Sequence, residues 1–464
     1  MMRMRRVLKY IFRVFLLWLL FVALCLVIVP FFHKKADAVT IEDDAAYEYT
    51  APERVRSIDQ NEEALLWRLR LIEAAEQRII LSTFDFVDDE AGRDIMSALW
   101  AAANRGVNVQ ILVDGINGAL FLSGSPNFRQ LSSHENVEVR FYNPINLLMP
   151  WRINYRMHDK YLIADHMAYL LGGRNTDNRF LGNYEEDFNA DRDILVYETE
   201  PGQGKSFRQL EDYFNRIWNL PCCKPFQRTA RNADLEARYE SLKGLYPEAF
   251  SNILTPSDME RATIEAESIS LWSNPIKPEN KVPVLWYRMI DAMTSADNVL
   301  VQTPYIICSK DMYADLQALC STDRQVDIMI NAVEIGSNPF GCTDYLNQKK
   351  KLQETGVHMY EYFGEYAQHT KAVLVGDDLT IAGSCNFDMR SVYLDTELML
   401  AIHCPELNAQ IRMQIDSLKE ESRHMYPDGT LQDGPAYAPV EPSFGKNLMY
   451  GFLRVVIMPL RHLL

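Results

Sequence analysis

Apolar positions along the chain follow three patterns. At the N-terminus they are continuous: Val14 to Phe32 is a stretch of 19 residues without a charge. A helix rises about 1.5 Å per residue, so this run nearly spans a hydrocarbon core. Arg3, Arg5, Arg6, Lys9 and Arg13 precede it, and only Lys34 and Lys35 follow. The asymmetry predicts a single-pass membrane anchor over residues 1–35, with a cytoplasmic N-terminus and the body outside the cytoplasm. Ala36-Asp37-Ala38 would suit signal-peptide cleavage. The length of the run and the two lysines after it favour an uncleaved anchor.

Beyond the anchor, helical and strand-like periods alternate. Leu65, Leu69 and Ile72 recur at helical spacing, and Ile79 to Phe84 reads as a strand. Ile95, Leu99 and Ala102 mark a second helix that Gly106 can cap. Val107, Val109, Ile111 and Val113 alternate as a strand does, and Val137 to Phe141 gives another. Later, Leu285, Met289 and Ala292 give a helix, with strands at Val299–Thr303 and Val326–Ile330. The rhythm predicts an α/β fold written twice, over residues 54–225 and 276–405, each half with a largely parallel sheet. Glu, Arg and Leu at helical periods predict a helical linker over 226–275. Proline and glycine over 426–443 predict a loop. In the C-terminal segment 406–464, Phe444 to Leu464 interleaves Lys446, Arg454, Arg461 and His462 with apolar residues and holds no acid. That pattern suits a membrane interface or a segment docked on the core equally well, and Pro459 limits any helix there.

Charge narrows the partners. The 464 residues hold 47 basic and 63 acidic side chains, for a net charge of −16. So acidic a chain argues against a nucleic-acid binder, but leaves room for an anionic substrate in a local basic pocket. The eight cysteines are too dilute for a disulfide scaffold and form no CxxC pair, so no zinc cluster is expected.

The duplication is sharpest at one motif. His158-Asp-Lys160 with Asp165 precedes Gly172-Gly173-Arg174-Asn175-Thr176-Asp177-Asn178-Arg179. His369-Thr-Lys371 precedes Gly383-Ser384-Cys385-Asn386-Phe387-Asp388-Met389-Arg390. One offset of 211 residues relates the His, Lys, first Gly, Asn, Asp and Arg of the two copies. Residues i and i+2 of a strand share a face, so each half offers one imidazole and one ammonium together. If the halves pack face to face, His158, His369, Lys160, Lys371, Asn175 and Asn386 surround one point. That set suits a phosphodiester. Lys and Asn hold the nonbridging oxygens, one neutral His attacks phosphorus, and the other, protonated, donates to the leaving alkoxide. The chemistry asks for no metal or other cofactor. His158 with His166 lacks further ligands at metal-binding spacing, and Cys385 reads as a small filler.

The paired motifs, with Gly-Gly-Arg-Asn and Gly-Ser-Cys-Asn, resemble the phospholipase D superfamily and, within it, the bacterial cardiolipin synthases. The resemblance covers most of residues 60–405. It extends to Asp85–Gly92, Arg105-Gly106-Val107, Asp114-Gly115, Arg156–Lys160, Phe214–Trp218, Gln302–Tyr305 and Asn386–Ser391. It implies two pseudo-symmetric α/β/α sandwich halves with the site at their interface. It also implies a phosphatidyl-histidine intermediate on His158, with His369 as general acid. Downstream carboxylates, Asp191 (or Asp193) and Glu397, are implied to orient the imidazoles. The second motif departs from the pattern: Gly376 stands where the first has Asp165, and Asp377 and Asp378 follow. In the family that Asp is a structural ion-pair group, so the loss is expected to spare activity.

The function expected is a membrane-anchored phosphatidyltransferase that makes cardiolipin from phosphatidylglycerol. Its partners would be the phospholipid membrane and an anionic phospholipid substrate. A phospholipase D that uses water as acceptor is the first alternative. A nuclease is opposed by the charge and the anchor. A catalytically lapsed scaffold is opposed by retention of both His, both Lys and both Asn.

Overall fold

A computed structural model of the chain describes residues 2–31 and 52–464, apart from 231–232, 251–253, 280, 323 and 440. The expected cleavage site at Ala36–Ala38 and the basic pair Lys34–Lys35 lie outside the described residues.

Each half builds a nine-stranded sheet. The first runs, in spatial order, Ile264–Glu265, Glu53–Ile58, Asp193–Glu198, Ala168–Gly172, Tyr161–Ala164, Arg78–Thr83, Asn108–Asp114, Val137–Tyr142 and Cys223–Phe226. The second runs Ser268–Ser273, Leu398–His403, Leu379–Gly383, Ala372–Val375, Asn298–Gln302, Gln325–Asn331, His358–Tyr362, Ser422–Met425 and Leu431–Asp433. Matched on the two motif strands, eight consecutive strands share one order, so the duplication reaches far beyond the motifs.

The sheets are mixed, which corrects the largely parallel arrangement expected. Arg78–Thr83, Asn108–Asp114 and Val137–Tyr142 pair in parallel, as do their three counterparts, while the other neighbours are antiparallel. The reason is the connection. Helical crossovers such as Glu90–Asn104 return the chain in parallel, but each motif strand reverses in a tight turn and makes a hairpin.

Alternation along the motif strands ties the layers together. Tyr161 and Ile163 point to a central core, Leu162 and Ala164 to an outer one. Ala372 and Leu374 likewise face the central core, and Val373 and Val375 the other outer one. Between the sheets lie the helices Lys205–Trp218 and Pro405–Lys419, through Phe207, Leu210 and Phe214 and through Leu407, Ile411 and Ile415. Each such side chain is worth about 1.5–3 kcal/mol when fully buried. The halves are therefore fused by a shared core.

Residues 226–275 do carry helices, Leu235–Leu245, Pro247–Phe250 and Pro256–Ala262. Toward the end of this segment, Ile264–Glu265 and Ser268–Ser273 instead give one strand to each sheet. The expected loop over 426–443 contains the edge strand Leu431–Asp433.

The C-terminal helix Phe444–Val456 docks on the second half. Tyr450 Oη donates to Val333 O at 3.0 Å, and Arg461 pairs with buried Asp344 at 2.5 Å. The N-terminal helix, Met2–Phe31, is long and apolar enough over Lys9–Val29 to cross a membrane, by length and composition. Its last turns meet the body: Asn154 Nδ2 donates to Leu26 O at 2.9 Å, and His462 Nε2 donates to Val27 O at 2.6 Å.

Candidate active site

The two motifs meet across the pseudo-twofold axis, each at the head of its hairpin strand. Short bridges between the halves fix their approach. Met157 pairs with Thr396, and His158 N–H donates to Thr396 O at 3.3 Å. On the other side, Ala367–Gln368 pairs with Asn189–Ala190, and His369 N–H donates to Ala190 O at 2.6 Å. The residues that follow these bridging partners are Glu397 and Asp191.

The imidazoles are consequently paired crosswise. His158 Nδ1 lies 2.8 Å from Glu397 Oε1, and His369 Nδ1 lies 2.6 Å from Asp191 Oδ2. Each ring thus comes from one half and its carboxylate from the other. Both carboxylates are fully buried, while the rings keep a small exposure. With Nδ1–H directed at a carboxylate, Nε2 is the nitrogen left for chemistry. Phe84 and Phe180 hold the two rings edge-on at 4.9 Å. Asp193, the other acid considered, is engaged by Arg68 at 2.8 Å and Arg174 at 3.4 Å and orients neither histidine.

The lysines are buried in the same place. Lys160 Nζ donates to His158 O at 2.7 Å, and Lys371 Nζ lies 3.6 Å from Asp191. Burial lowers Lys160 to about 7, with Lys371 adding to the effect and Glu397 opposing it. Lys371 is lowered too, by burial against the pull of Asp191 and Glu397. Burial and the neighbouring ammoniums hold His158 well below its usual range and bring His369 to about 4. Both shifts favour the neutral imidazole. Burial acts against ionisation of Asp191, but Lys371 and His369 outweigh it and hold the carboxyl at about 2. Burial raises Glu397 well above the carboxylate range. An entering phosphodiester anion would favour the cationic lysines and protonation of one imidazole.

Glycine has a specific use here. A Cβ at Gly173 would lie 2.4 Å from Asp191 Oδ2, so only glycine lets that acid approach. Ser384 stands at the equivalent place in the second half, and its hydroxyl donates to Glu397.

Asn175 and Asn386 sit at matching positions with unlike partners. Asn175 Nδ2 donates to Asp85 Oδ2 at 3.3 Å, and Asn386 Nδ2 donates to Tyr305 Oη at 3.3 Å. Asn386 Oδ1 is buried and has no hydrogen-bond partner among the described residues. Burial, helped by Asp177, pushes Asp85 up to about 6. Arg156, two residues before His158, is bonded to Asp114. Asp85, Tyr305, Arg156 and Ser384 stood within motifs legible in the sequence, but nothing there assigned them a contact.

Asp165, which the motif groups with the catalytic His158 and Lys160, is not brought to this site. It lies at the far end of the motif strand, with φ 50°, and its carboxylate accepts the N–H groups of Glu76, Gln77 and Arg78 at 2.7–2.8 Å. Spacing alone does not show that the four-residue strand Tyr161–Ala164 carries this side chain away from the motif head. Among the described residues, no three His, Cys, Asp or Glu side chains cluster as a metal site would.

Comparison with known proteins agrees with this architecture. A family model described as cardiolipin synthase, PLD-like domain, matches residues 69–218 and 289–419, more than half of the chain. Cardiolipin synthase C of Escherichia coli K12 is 27% identical over 396 residues, covering 75% of this chain and 81% of that protein. Cardiolipin synthase 1 of Staphylococcus epidermidis is 24% identical, covering 75% of this chain and 64% of that protein. The crystal structure of phosphatidylserine synthase from Haemophilus influenzae superimposes with a TM-score of 0.64. It covers 90% of this chain and 98% of its own at 15% identity, a likeness of fold. With two motif-bearing halves joined at one site, the chain belongs to the phospholipase D superfamily and is similar to the bacterial cardiolipin synthases.

Proposed function

We propose that the protein is a phosphatidyltransferase that joins two phosphatidylglycerols into cardiolipin and glycerol. His158 Nε2 attacks phosphorus, the P–O bond to glycerol breaks, and His369 supplies the proton that glycerol takes. The hydroxyl of a second phosphatidylglycerol then gives its proton back to His369 and attacks phosphorus, and the N–P bond breaks. Lys160, Lys371 and the Asn175 and Asn386 amides offset the charge on the nonbridging oxygens.

The observation that supports this most is the pair of crossed imidazole–carboxylate contacts beside two buried lysines. It supplies a nucleophile, a proton carrier and phosphate cations at one point. The intact constellation also speaks against a lapsed scaffold. The matched family model and the names of the relatives favour a lipid acceptor over water.

The test is incubation of the purified full-length protein with head-group-labelled phosphatidylglycerol in vesicles. Cardiolipin and free glycerol in equal amounts are expected. Phosphatidic acid with no cardiolipin would replace the reading with a phospholipase D, and no conversion of the lipid would overturn it.

A further inference from the structure

Exposed apolar side chains lie on segments next to the two turns that bond the N-terminal helix. Leu148, 86% exposed, lies on the loop just before the 3₁₀ turn Pro150–Asn154, the turn that bonds the helix. Phe121 is exposed in the adjoining turn Gly118–Leu122, whose base at Gly115 packs on Pro144. On the C-terminal helix, Phe444, Leu448, Phe452 and Val455 recur at helical spacing and are all exposed, while Tyr450 faces the core. The turn that follows this helix carries His462, the second residue bonded to the N-terminal helix.

Depth gives this face its partner. The apolar run continues to Phe32, so Leu26 and Val27 lie five or six residues inside it, or about 8–9 Å along the helix axis. Asn154 and His462 bond the carbonyls of those two residues. Pro30 has no N–H to offer Leu26 O, its partner four residues back, so the Asn154 amide takes that place. A body bonded there cannot stand clear of the surface when the helix enters a bilayer. The charged side chains of Phe444–Leu464 are all basic; with Arg461 paired to Asp344, Lys446 and Arg454 are the ones that suit anionic head groups.

We propose that this face, formed by the Phe121 and Leu148 loops and the outer stripe of the C-terminal helix, inserts into the interfacial layer of an anionic phospholipid bilayer. The body itself, and not only the N-terminal helix, is then held in the membrane surface. The proposal rests on the N-terminal helix entering the bilayer and is independent of the reaction catalysed. It has a consequence for the site. His158 follows Asn154 by four residues, and Arg390 of the second motif donates to Asn154 O at 2.8 Å and to Leu463 O at 3.0 Å. The motifs are thereby braced against the segments that seat the body, at head-group level.

The test uses the full-length protein in phosphatidylglycerol vesicles whose acyl chains carry bromine. Leu148→Trp and Phe452→Trp are compared with Met413→Trp, an exposed residue on the helix Pro405–Lys419. Bromine quenching above that of the unsubstituted protein is expected for the first two variants and not for the third. No added quenching at 148 and 452 would overturn the proposal. So would equal quenching at all three positions, since that would report no particular face. Concentration-dependent dimers in detergent, abolished by Leu148→Trp or Phe452→Trp, would assign the face to a second copy instead and also overturn it. Because the readout needs no turnover, its failure is separable from failure of the transferase reading.

Discussion

At the residue scale the site depends on pairs that cross between the halves. A nitrophenyl phosphodiester separates their roles, because nitrophenolate leaves without a proton. His369→Asn and Asp191→Asn are expected to keep a burst of nitrophenolate and then stall. His158→Asn and Glu397→Gln are expected to lose the burst, with turnover on phospholipid down about 10²- to 10⁴-fold in all four. A burst that survives His158→Asn would reverse the assignment of nucleophile. The lysines set a pH limit. Burial lowers Lys160 from 10.5 to about 7, so its charge is present below that pH and is lost above it. The kcat/KM measured against pH is expected to fall above about 7 as this phosphate cation is lost. Lys160→Arg, charged at all accessible pH, should lower the rate but flatten the alkaline limb. An unchanged limb in that variant would place the titration elsewhere.

At the scale of elements, the motif hairpin shows how the repeat tolerates its one broken position. Asp165 and Gly376 occupy the same left-handed turn, with φ of 50° and 55°. Their backbone N–H groups make matching bonds, to Arg78 O at 2.9 Å and Asn298 O at 3.0 Å. The turn is kept and only the carboxylate is missing, because glycine adopts this conformation without strain. Gly376→Asp puts a Cβ 3.3 Å from Ala296 Cβ, a close but adjustable contact. Activity is expected to change by less than about tenfold, or about 1.4 kcal/mol of barrier. Asp165→Gly removes the acceptor of three N–H groups and is expected to cost about 1–3 kcal/mol of stability, read by denaturant unfolding, with kcat retained. Loss of turnover in a stably folded Asp165→Gly protein would return this residue to the chemistry.

At the scale of the whole molecule, the charges flanking the apolar run bear on how the N-terminal helix would orient in a membrane. Five basic residues before the apolar run and two after it lead us to expect an extracytoplasmic body. Most native thiols of the body are buried, Cys223 among them, so an added cysteine is the better reporter. Met413→Cys is expected to react with a membrane-impermeant maleimide on intact cells, and labelling only after lysis would place the body inside. The sequence by itself determined the duplication, the α/β halves, the six motif residues His158, Lys160, Asn175, His369, Lys371 and Asn386, and the apolar N-terminal run. These rest on local periodicity and on one repeated spacing, which a chain carries before it folds. Only the tertiary structure decided which acid serves which histidine, because Glu397 reaches His158 and Asp191 reaches His369 through bridges between segments more than 170 residues apart. It also decided that Asp165 faces away from the site, that the sheets are mixed, and that the N-terminal helix is bonded to the frame of the active site. Each of these follows from how strands and halves pack, and no spacing along the chain encodes it.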